Sequence, residues 1–339
     1  MMRRREFLTV AAGAAASAVL PRPAQRSVAH AASPDWALGW QSMNVDSLAP
    51  MPLAVEGAWP AALRGTLYRN GPARTERNGV RYRHLFDGDG MIQRYSFNSE
   101  SVSHTARFVQ TQKYVREQAA GRFLYSSAGT HLPDAEPSGN NDTGNTANTA
   151  LLPWDDELLA LWEGGSAYRL DPASLETLGR KDWRDDLKHM PFSAHPLVDR
   201  DGTMWNFGSA PFAGKNGMLF VYRVAPRQGV TAVQGIRLPV ASYLHSFAMS
   251  ERYLVFYLGA HRFESMGQTF VDSFSWTPDV GSRVLLIDKN DLTSQRYFDA
   301  PAGFTFHNAH AWDEGTDVAL QLCLYPTAEV MHSGMIELR

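Results

Sequence analysis

Three histidines stand beside strand-like segments at wide and similar intervals. They are His195, His245 and His307, and successive members are 50 and 62 residues apart. Neutral imidazole nitrogens are ligands for Fe, Zn, Cu or Ni, so three histidines that meet in the fold would form a metal site. Taken singly, a histidine near a strand end is more often a hydrogen-bonded structural residue. Spacing alone leaves both interpretations open.

The elements that would bring these histidines together are short β-strands. Runs that alternate with a period of two, or that are short and apolar, follow one another with turn residues between them. Helical periodicity is nearly absent after the N-terminal segment. We predict strands at residues 65–69, 91–97, 103–109, 150–154, 157–162, 204–207, 218–224, 253–258, 284–287 and 318–324.

Two segments of the chain echo each other. Residues 170–177 (Leu-Asp-Pro-Ala-Ser-Leu-Glu-Thr) and 287–294 (Ile-Asp-Lys-Asn-Asp-Leu-Thr-Ser) each join a strand end to an Asp-headed turn, a leucine and a hydroxyl residue. A turn repeated among many short antiparallel strands indicates a β-propeller. With about 40–50 residues per blade, the three histidines would lie on successive blades and point towards a common axis.

Composition narrows the class of protein. The 339 residues are 44% hydrophobic and 20% charged, which excludes a disordered chain, a collagen-like repeat and a coiled coil. The formal net charge of -3 gives no basic excess for nucleic acid, so we expect no nucleic-acid partner. Cys323 is the single cysteine, which excludes an intramolecular disulfide and a cysteine-based zinc cluster.

The first residues are typical of an export signal. Arg4 and Arg5 open a twin-arginine pattern, a small-residue apolar run follows, and Ala29-His30-Ala31 offers a cleavage site. We predict a twin-arginine signal peptide at residues 1–31, a mature domain at residues 32–339 and a periplasmic location.

Several blocks, taken in order, resemble the carotenoid cleavage oxygenase family, the superfamily that includes the retinal pigment epithelial membrane protein and the stilbene dioxygenases. The first reads Leu-Arg-Gly-Thr-Leu-Tyr-Arg-Asn-Gly-Pro and the second Leu-Phe-Asp-Gly-Asp-Gly-Met. The matching blocks are residues 63–72, 85–91, 107–111, 145–149, 159–165, 194–196, 243–247 and 306–314.

The resemblance implies an all-β fold, a seven-bladed β-propeller of the carotenoid oxygenase type, of which this chain carries the first four to five blades. The family holds one Fe(2+) per subunit with four histidines, and His195, His245 and His307 match its first three ligand positions. Glu163 matches a glutamate that accepts the N–H of a ligand imidazole and so fixes its orientation.

The function implied by the resemblance is a non-haem iron dioxygenase. Such an enzyme cleaves a conjugated C=C bond of a carotenoid or apocarotenoid with O2 and releases carbonyl products. The expected partners are O2 and a lipophilic small molecule. The apolar residues Phe123, Leu124 and Tyr125 could form a patch for peripheral membrane contact, but a buried strand would explain these three residues equally well. A stilbene-type alkene dioxygenase is an alternative, but we find no Tyr/Lys pair placed to polarise a phenol.

The sequence also departs from the family. Members usually run well past 339 residues, and the fourth ligand histidine, usually near their C-terminus, has no counterpart here. We therefore expect a C-terminally truncated member; nothing marks His310 or His332 as a replacement ligand. Two further alternatives stay open: a non-catalytic propeller that binds apolar ligands, and a Zn or Ca hydrolase, against which the lack of carboxylates at the histidine blocks argues.

Three smaller features complete the expectations. Asp87-Gly88-Asp89-Gly90 lacks the other ligands of a calcium loop, so we interpret it as a tight turn with glycines of positive φ. Residues 137–145 read as a polar surface loop. Cys323 is expected to be an inert core residue of a strand.

Overall fold

The computed structural model describes residues 35–60, 62–98 and 101–333. The signal peptide predicted at residues 1–31 lies outside these residues. The chain divides into Met1–Gly39 and Trp40–Arg339. Of the first unit the structure describes residues 35–39, which belong to the 3-10 turn Asp35–Trp40. The description below concerns the second unit.

The second unit begins with a five-stranded antiparallel sheet. Its strands run in the order β1-β7-β6-β2, with β3 paired to β6, and a separate two-stranded hairpin is formed by β4 and β5. The strands are β1 (Ser47–Leu53), β2 (Gly65–Arg69), β3 (Pro72–Arg74), β4 (Glu76–Arg77), β5 (Val80–Arg81), β6 (Asp89–Phe97) and β7 (Val102–Phe108).

Three four-stranded antiparallel sheets and a final hairpin follow. In the second and third sheets, each strand pairs with the next strand along the chain. The fourth sheet keeps the same pattern except that a separate hairpin, β18-β19, is inserted between its second and third strands. The second sheet is β8 (Ala150–Trp154), β9 (Glu157–Leu161), β10 (Tyr168–Leu170) and β11 (Thr177–Arg180). The third is β12 (Leu197–Val198), β13 (Met204–Ala210), β14 (Met218–Ala225) and β15 (Gly229–Arg237). The fourth, its insertion and the final hairpin are β16 (Ala248–Met249), β17 (Tyr253–Leu258), β18 (His261–Phe263), β19 (Phe274–Trp276), β20 (Ser282–Asp288), β21 (Asp291–Ala300), β22 (Asn308–Glu314) and β23 (Asp317–Leu322).

This serial arrangement of small antiparallel sheets is propeller-like, as the sequence predicted. The core lies between neighbouring sheets: Phe207 of the third sheet packs with Phe256 of the fourth in one buried cluster. The two echoing segments occupy equivalent places, since each joins the third strand of its sheet to the fourth. In the first of them Asp171 accepts backbone hydrogen bonds from Ala173 and Ser174, which stabilises the turn.

One α-helix, α1 (Gln112–Ala120), interrupts the strands of the described residues, and the sequence analysis missed it. Thr111 caps its first turn by accepting the N–H of Tyr114, and Gly121 ends it in the left-handed conformation. No helix among the described residues is long and apolar enough to cross a bilayer.

The expectation for the Asp87-Gly88-Asp89-Gly90 segment was wrong in its mechanism. Neither glycine has a positive φ. A Cβ on Gly90 would lie 2.3 Å from the carbonyl oxygen of Ala147, so the glycine permits a close backbone approach. Asp89 is buried, and its ion pairs with Lys113 and Arg77 offset the cost of burying its charge.

Two predictions about exposure also need correction. Residues 137–145 are not simply a surface loop, because Asp142 and Asn145 are buried there and bonded to each other. Cys323 is exposed and follows the end of β23 rather than lying in the core.

The residues proposed for membrane contact, Phe123, Leu124 and Tyr125, are all buried, and they lie in a loop rather than in a strand. They therefore offer no exposed apolar patch.

Candidate metal centre

The fold brings His195, His245 and His307 together. Each histidine lies just before the first strand of its sheet or hairpin, ahead of β12, β16 and β22 respectively. These equivalent positions place one ligand-capable nitrogen from each ring within 4.8 Å of the others. Nε2 of His195 lies 2.8 Å from Nε2 of His245. Three residues that span 112 positions of the sequence, from His195 to His307, thus form one cluster.

The rings differ in exposure. His245 is 8% exposed, His195 is half-buried and His307 is exposed. Burial, followed by the neighbouring imidazoles of His245 and His307, lowers the pKa of His195 to about 3. Partial desolvation and the adjacent His245 also lower the pKa of His307. Both rings are therefore held in the neutral form that binds metals.

Glu163 follows β9 in the second sheet and contacts the cluster. Its Oε2 lies 2.6 Å from Nδ1 of His245, and its Oε1 accepts a hydrogen bond from the Tyr243 hydroxyl at 3.2 Å. A carboxylate at Nδ1 keeps the proton on that nitrogen and leaves a lone pair on Nε2. Burial and the nearby Glu163 raise the pKa of Tyr243 well above its usual value, so this hydroxyl remains a donor.

The donor set fits a transition-metal ion. Two nitrogens bound at about 2.0–2.1 Å on adjacent positions of one ion lie roughly 3 Å apart, close to the observed 2.8 Å between the two Nε2 atoms. Nitrogen donors without a carboxylate ligand suit Fe, Cu, Zn or Ni rather than Ca or Mg. His195, His245 and His307 would hold such an ion, and Glu163 would orient His245.

A cavity of about 310 Å³ adjoins the cluster and includes Glu163, Tyr243 and His245 in its wall. Most of the remaining wall is apolar. No lysine belongs to the wall among the described residues. Besides Tyr243, its aromatic members are Phe86, Trp162, Phe207, Phe212, Phe270 and Phe274.

The two other histidines considered as replacement ligands do not join the cluster. His310 lies on β22, is exposed and stacks on Trp312 with ring centroids 5.8 Å apart. His332 lies in the 3-10 turn Glu329–His332 and interacts electrostatically with His261.

The sequence analysis missed Tyr243 as a member of the site. It stands two residues before His245, where an extended chain places both side chains on the same side. The identical spacing places Ser193 before His195, and the Ser193 hydroxyl accepts the backbone N–H of His195. A hydroxyl residue two positions before each candidate ligand is the signal that was available.

Comparison with known proteins places this arrangement in context. A model of the family described as retinal pigment epithelial membrane protein matches residues 41–338. Apocarotenoid-15,15'-oxygenase of Synechocystis is 31% identical over 331 residues, covering 89% of this chain and 64% of the relative. Isoeugenol monooxygenase of Pseudomonas nitroreducens is 29% identical over 274 residues, covering 80% of this chain and 57% of the relative.

The fold is similar to a solved structure as well. The crystal structure of cobalt-substituted Synechocystis ACO superposes with a TM-score of 0.74 at 29% identity, covering 86% of this chain and 64% of that one. The chain thus spans about three-fifths of the length of these relatives.

Proposed function

The chain belongs to the retinal pigment epithelial membrane protein family of carotenoid cleavage oxygenases, and from this membership we propose that it is an iron(II)-dependent dioxygenase. It uses O2 to cleave a conjugated C=C bond of a carotenoid or apocarotenoid into two carbonyl products. The complete fold would be a seven-bladed propeller of the family type, of which this chain supplies the first four to five blades. One Fe(2+) per subunit is the proposed cofactor.

The observation that carries the proposal is the cluster of His195, His245 and His307 beside an apolar cavity. His245 contributes to both, because its ring belongs to the cluster and to the cavity wall. An apolar substrate in the cavity would therefore lie next to the metal ligands. This is the placement that an oxygenase of electron-rich alkenes requires.

The protein's own residues supply positioning and an apolar environment. Glu163 holds Nδ1–H of His245 and directs the Nε2 lone pair away from the carboxylate. Trp162 and Phe207 are among the aromatic side chains that bind the hydrocarbon and exclude water. When bound, iron(II) would supply the redox chemistry with O2, and the conjugated double bond supplies the electrons.

The mostly apolar wall, which lacks a cation among the described residues, favours a polyene over a phenol. Polarising a phenol calls for a positioned base or cation, yet the described wall has no lysine and the Tyr243 hydroxyl is engaged by Glu163. The second candidate is nevertheless an isoeugenol-type alkene. The similarity to isoeugenol monooxygenase and a volume near the lower end of small-molecule sites, about 300–1,000 Å³, favour a short substrate.

The test is to load the protein with Fe(II) under nitrogen and add O2 with an apocarotenal or with isoeugenol. The proposal predicts O2 uptake matched by two carbonyl products from the apocarotenal, and none in the His245→Ala variant. Cleavage of isoeugenol alone would replace the first candidate with the second. If the iron-loaded protein binds both compounds and cleaves neither, it is a ligand-binding propeller rather than an enzyme.

We also propose export and membrane uptake of the substrate. Residues 1–31 would direct the folded protein to the periplasm. Phe212, which lines the cavity and is 53% exposed, is a suitable point of peripheral membrane contact. A folded fluorescent reporter fused to residues 1–31 should reach the periplasm, and replacement of Arg4 and Arg5 by lysine should retain it in the cytoplasm.

A further inference from the structure

The Ser246 hydroxyl joins the segments that carry two of the candidate ligands. Ser246 directly follows His245 and is 7% exposed. Its Oγ donates to the carbonyl of Phe306 at 2.8 Å and accepts the backbone N–H of Asn308 at 2.9 Å. The side-chain amide of Asn308 donates to the same oxygen at 3.2 Å. One hydroxyl therefore binds both chain neighbours of His307.

His307 needs such support more than the other two histidines do. The ring of His245 is held by Glu163, whereas among the described residues no hydrogen bond reaches a ring nitrogen of His307. The His307 ring is also the most exposed of the three. Its hydrogen-bonded support therefore comes through the backbone. Thr305 and Cys323 bond its own carbonyl, and Ser246 bonds the residue on either side.

A second serine repeats the arrangement one sheet earlier. Ser193 accepts the backbone N–H of His195 at 3.1 Å and donates to the carbonyl of His245 at 3.4 Å. Two buried serines thus connect the three ligand segments in series. Ser246 makes three hydrogen bonds at its junction and Ser193 makes two, and the two backbone bonds of Ser246, at 2.8 and 2.9 Å, are shorter than either bond of Ser193.

We propose that Ser246 is a positioning residue for the metal centre, acting through His307. The inference rests on the metal centre of the proposed function. Truncating the hydroxymethyl side chain to the methyl group of alanine would leave the carbonyl of Phe306 and the N–H of Asn308 without their partner. The start of β22 would then move relative to His245, and His307 would leave the geometry that binds metal.

Ser250 provides a matched control. It is also buried, at 5% exposure, and its hydroxyl donates to Asp313 and accepts the N–H of Tyr253. Ser246 therefore fastens the start of β22 to the fourth sheet, and Ser250 fastens its end. Both serine-to-alanine changes remove buried hydrogen bonds, but only one of them lies beside His307.

The experiment measures Co(II) affinity and the visible absorption spectrum of bound Co(II) in the purified chain. Ser246→Ala should weaken binding about tenfold or more and alter the spectrum, and Ser246→Thr, which keeps the hydroxyl, should restore both. Both Ser246→Ala and Ser250→Ala should lower the melting temperature by similar amounts, but Ser250→Ala should leave the Co(II) affinity and the spectrum unchanged. Equal Co(II) binding in Ser246→Ala and Ser250→Ala would overturn the inference.

A double-mutant cycle separates positioning from a general loss of structure. In a His307→Ala background, where only weak Co(II) binding to His195 and His245 would remain, Ser246→Ala should produce no further loss of that residual affinity; an undiminished loss there would contradict action through His307. If Ser246→Ala does not fold, Asn308→Ala, which removes one bond to the hydroxyl, should give a smaller loss that likewise vanishes in the His307→Ala background. A wild-type chain that binds no Co(II) would overturn the proposed metal centre and this inference together.

Discussion

Oε2 of Glu163 lies 2.6 Å from Nδ1 of His245, although 82 positions separate the two residues in the chain. Glu163 follows a strand of the second sheet and His245 precedes the first strand of the fourth. The contact therefore depends on the relative placement of separate sheets. It links the cavity wall to the candidate metal cluster, since both residues line the cavity.

We predict that Glu163→Gln weakens Co(II) or Fe(II) binding by about 10–100-fold. The neutral amide stabilises the Nδ1 proton of His245 less than the carboxylate does, so Nε2 becomes a poorer ligand. A competition titration with a chelator measures the change. Glu157→Gln is the control, because Glu157 lies on the same sheet and pairs with Arg169 and Lys181 away from the histidines. Equal affinities in the two variants would remove Glu163 from the site.

Filling the cavity should separate substrate binding from metal binding. Ser209 on β13 lines the cavity, and Ser209→Trp would occupy space that the substrate needs. We expect cleavage to fall about tenfold or more, with Co(II) affinity unchanged. Ser294→Trp on the exposed strand β21 is the control and should leave cleavage intact. Full cleavage by Ser209→Trp would mean that the substrate binds elsewhere.

Much of the strand pattern could be predicted from the sequence. The residues 150–154 and 157–162 were expected to form a hairpin around Asp155 and Asp156, and β8 and β9 pair there with Trp154 opposite Glu157. A short apolar run bounded by turn residues is informative at such a site, because residues 158–161 of β9 are all buried. The assignment of His195, His245 and His307 as metal ligands stays a prediction, which their proximity supports.

Other features had no signal that periodicity detects. The buried residues of α1 are Lys113, Tyr114 and Glu117, so the helix has no apolar stripe, and only Thr111 and Gly121 mark its ends. Local hydrophobicity does not reveal that Cys323 lies just past the end of β23 and is exposed. The contacts of Tyr243 and Ser246 depend on which sheets become neighbours.

The buried charge network explains the polar face of α1 and gives a stability prediction. Lys113 is fully buried and lies 2.8 Å from both Asp89 and Glu117, with Arg77 also bonded to Asp89. Lys113→Met would leave two buried carboxylates with one cation, so we expect a loss of about 3–5 kcal/mol in the free energy of unfolding. Urea denaturation measures this loss.

The control for the network is Lys188→Met, which removes an exposed pair with Asp185. Its effect should stay within about 0.5 kcal/mol. A loss for Lys113→Met no larger than that of the control would contradict the role given to the buried cation.

The pH dependence of stability should report on Asp142. Burial acts to raise the pKa of this carboxyl, but bonds from Ser166, Asn145 and His189 outweigh it and hold the pKa below its usual value. A depressed pKa stabilises the fold above the unfolded value of about 3.9, and that stability is lost as the pH falls through the folded pKa.

We therefore expect Asp142→Asn to lower the free energy of unfolding by about 1–3 kcal/mol at pH 7, with a gap to the wild type that narrows below about pH 4. Urea denaturation at several pH values measures the gap. Asp185→Asn, at a carboxyl that is 96% exposed, is the control and should show no such trend. A gap that widens on acidification would refute the assigned sign.

The central claim is that His195, His245 and His307 together hold one metal ion. The most direct test is the stoichiometry of Fe(II) or Co(II) binding in the wild type and in His195→Ala, His245→Ala and His307→Ala, with the exposed His310→Ala as control. We expect one ion per chain in the wild type and the control, and loss of stoichiometric binding in each of the three variants. Unchanged metal content in any two of those three would contradict it.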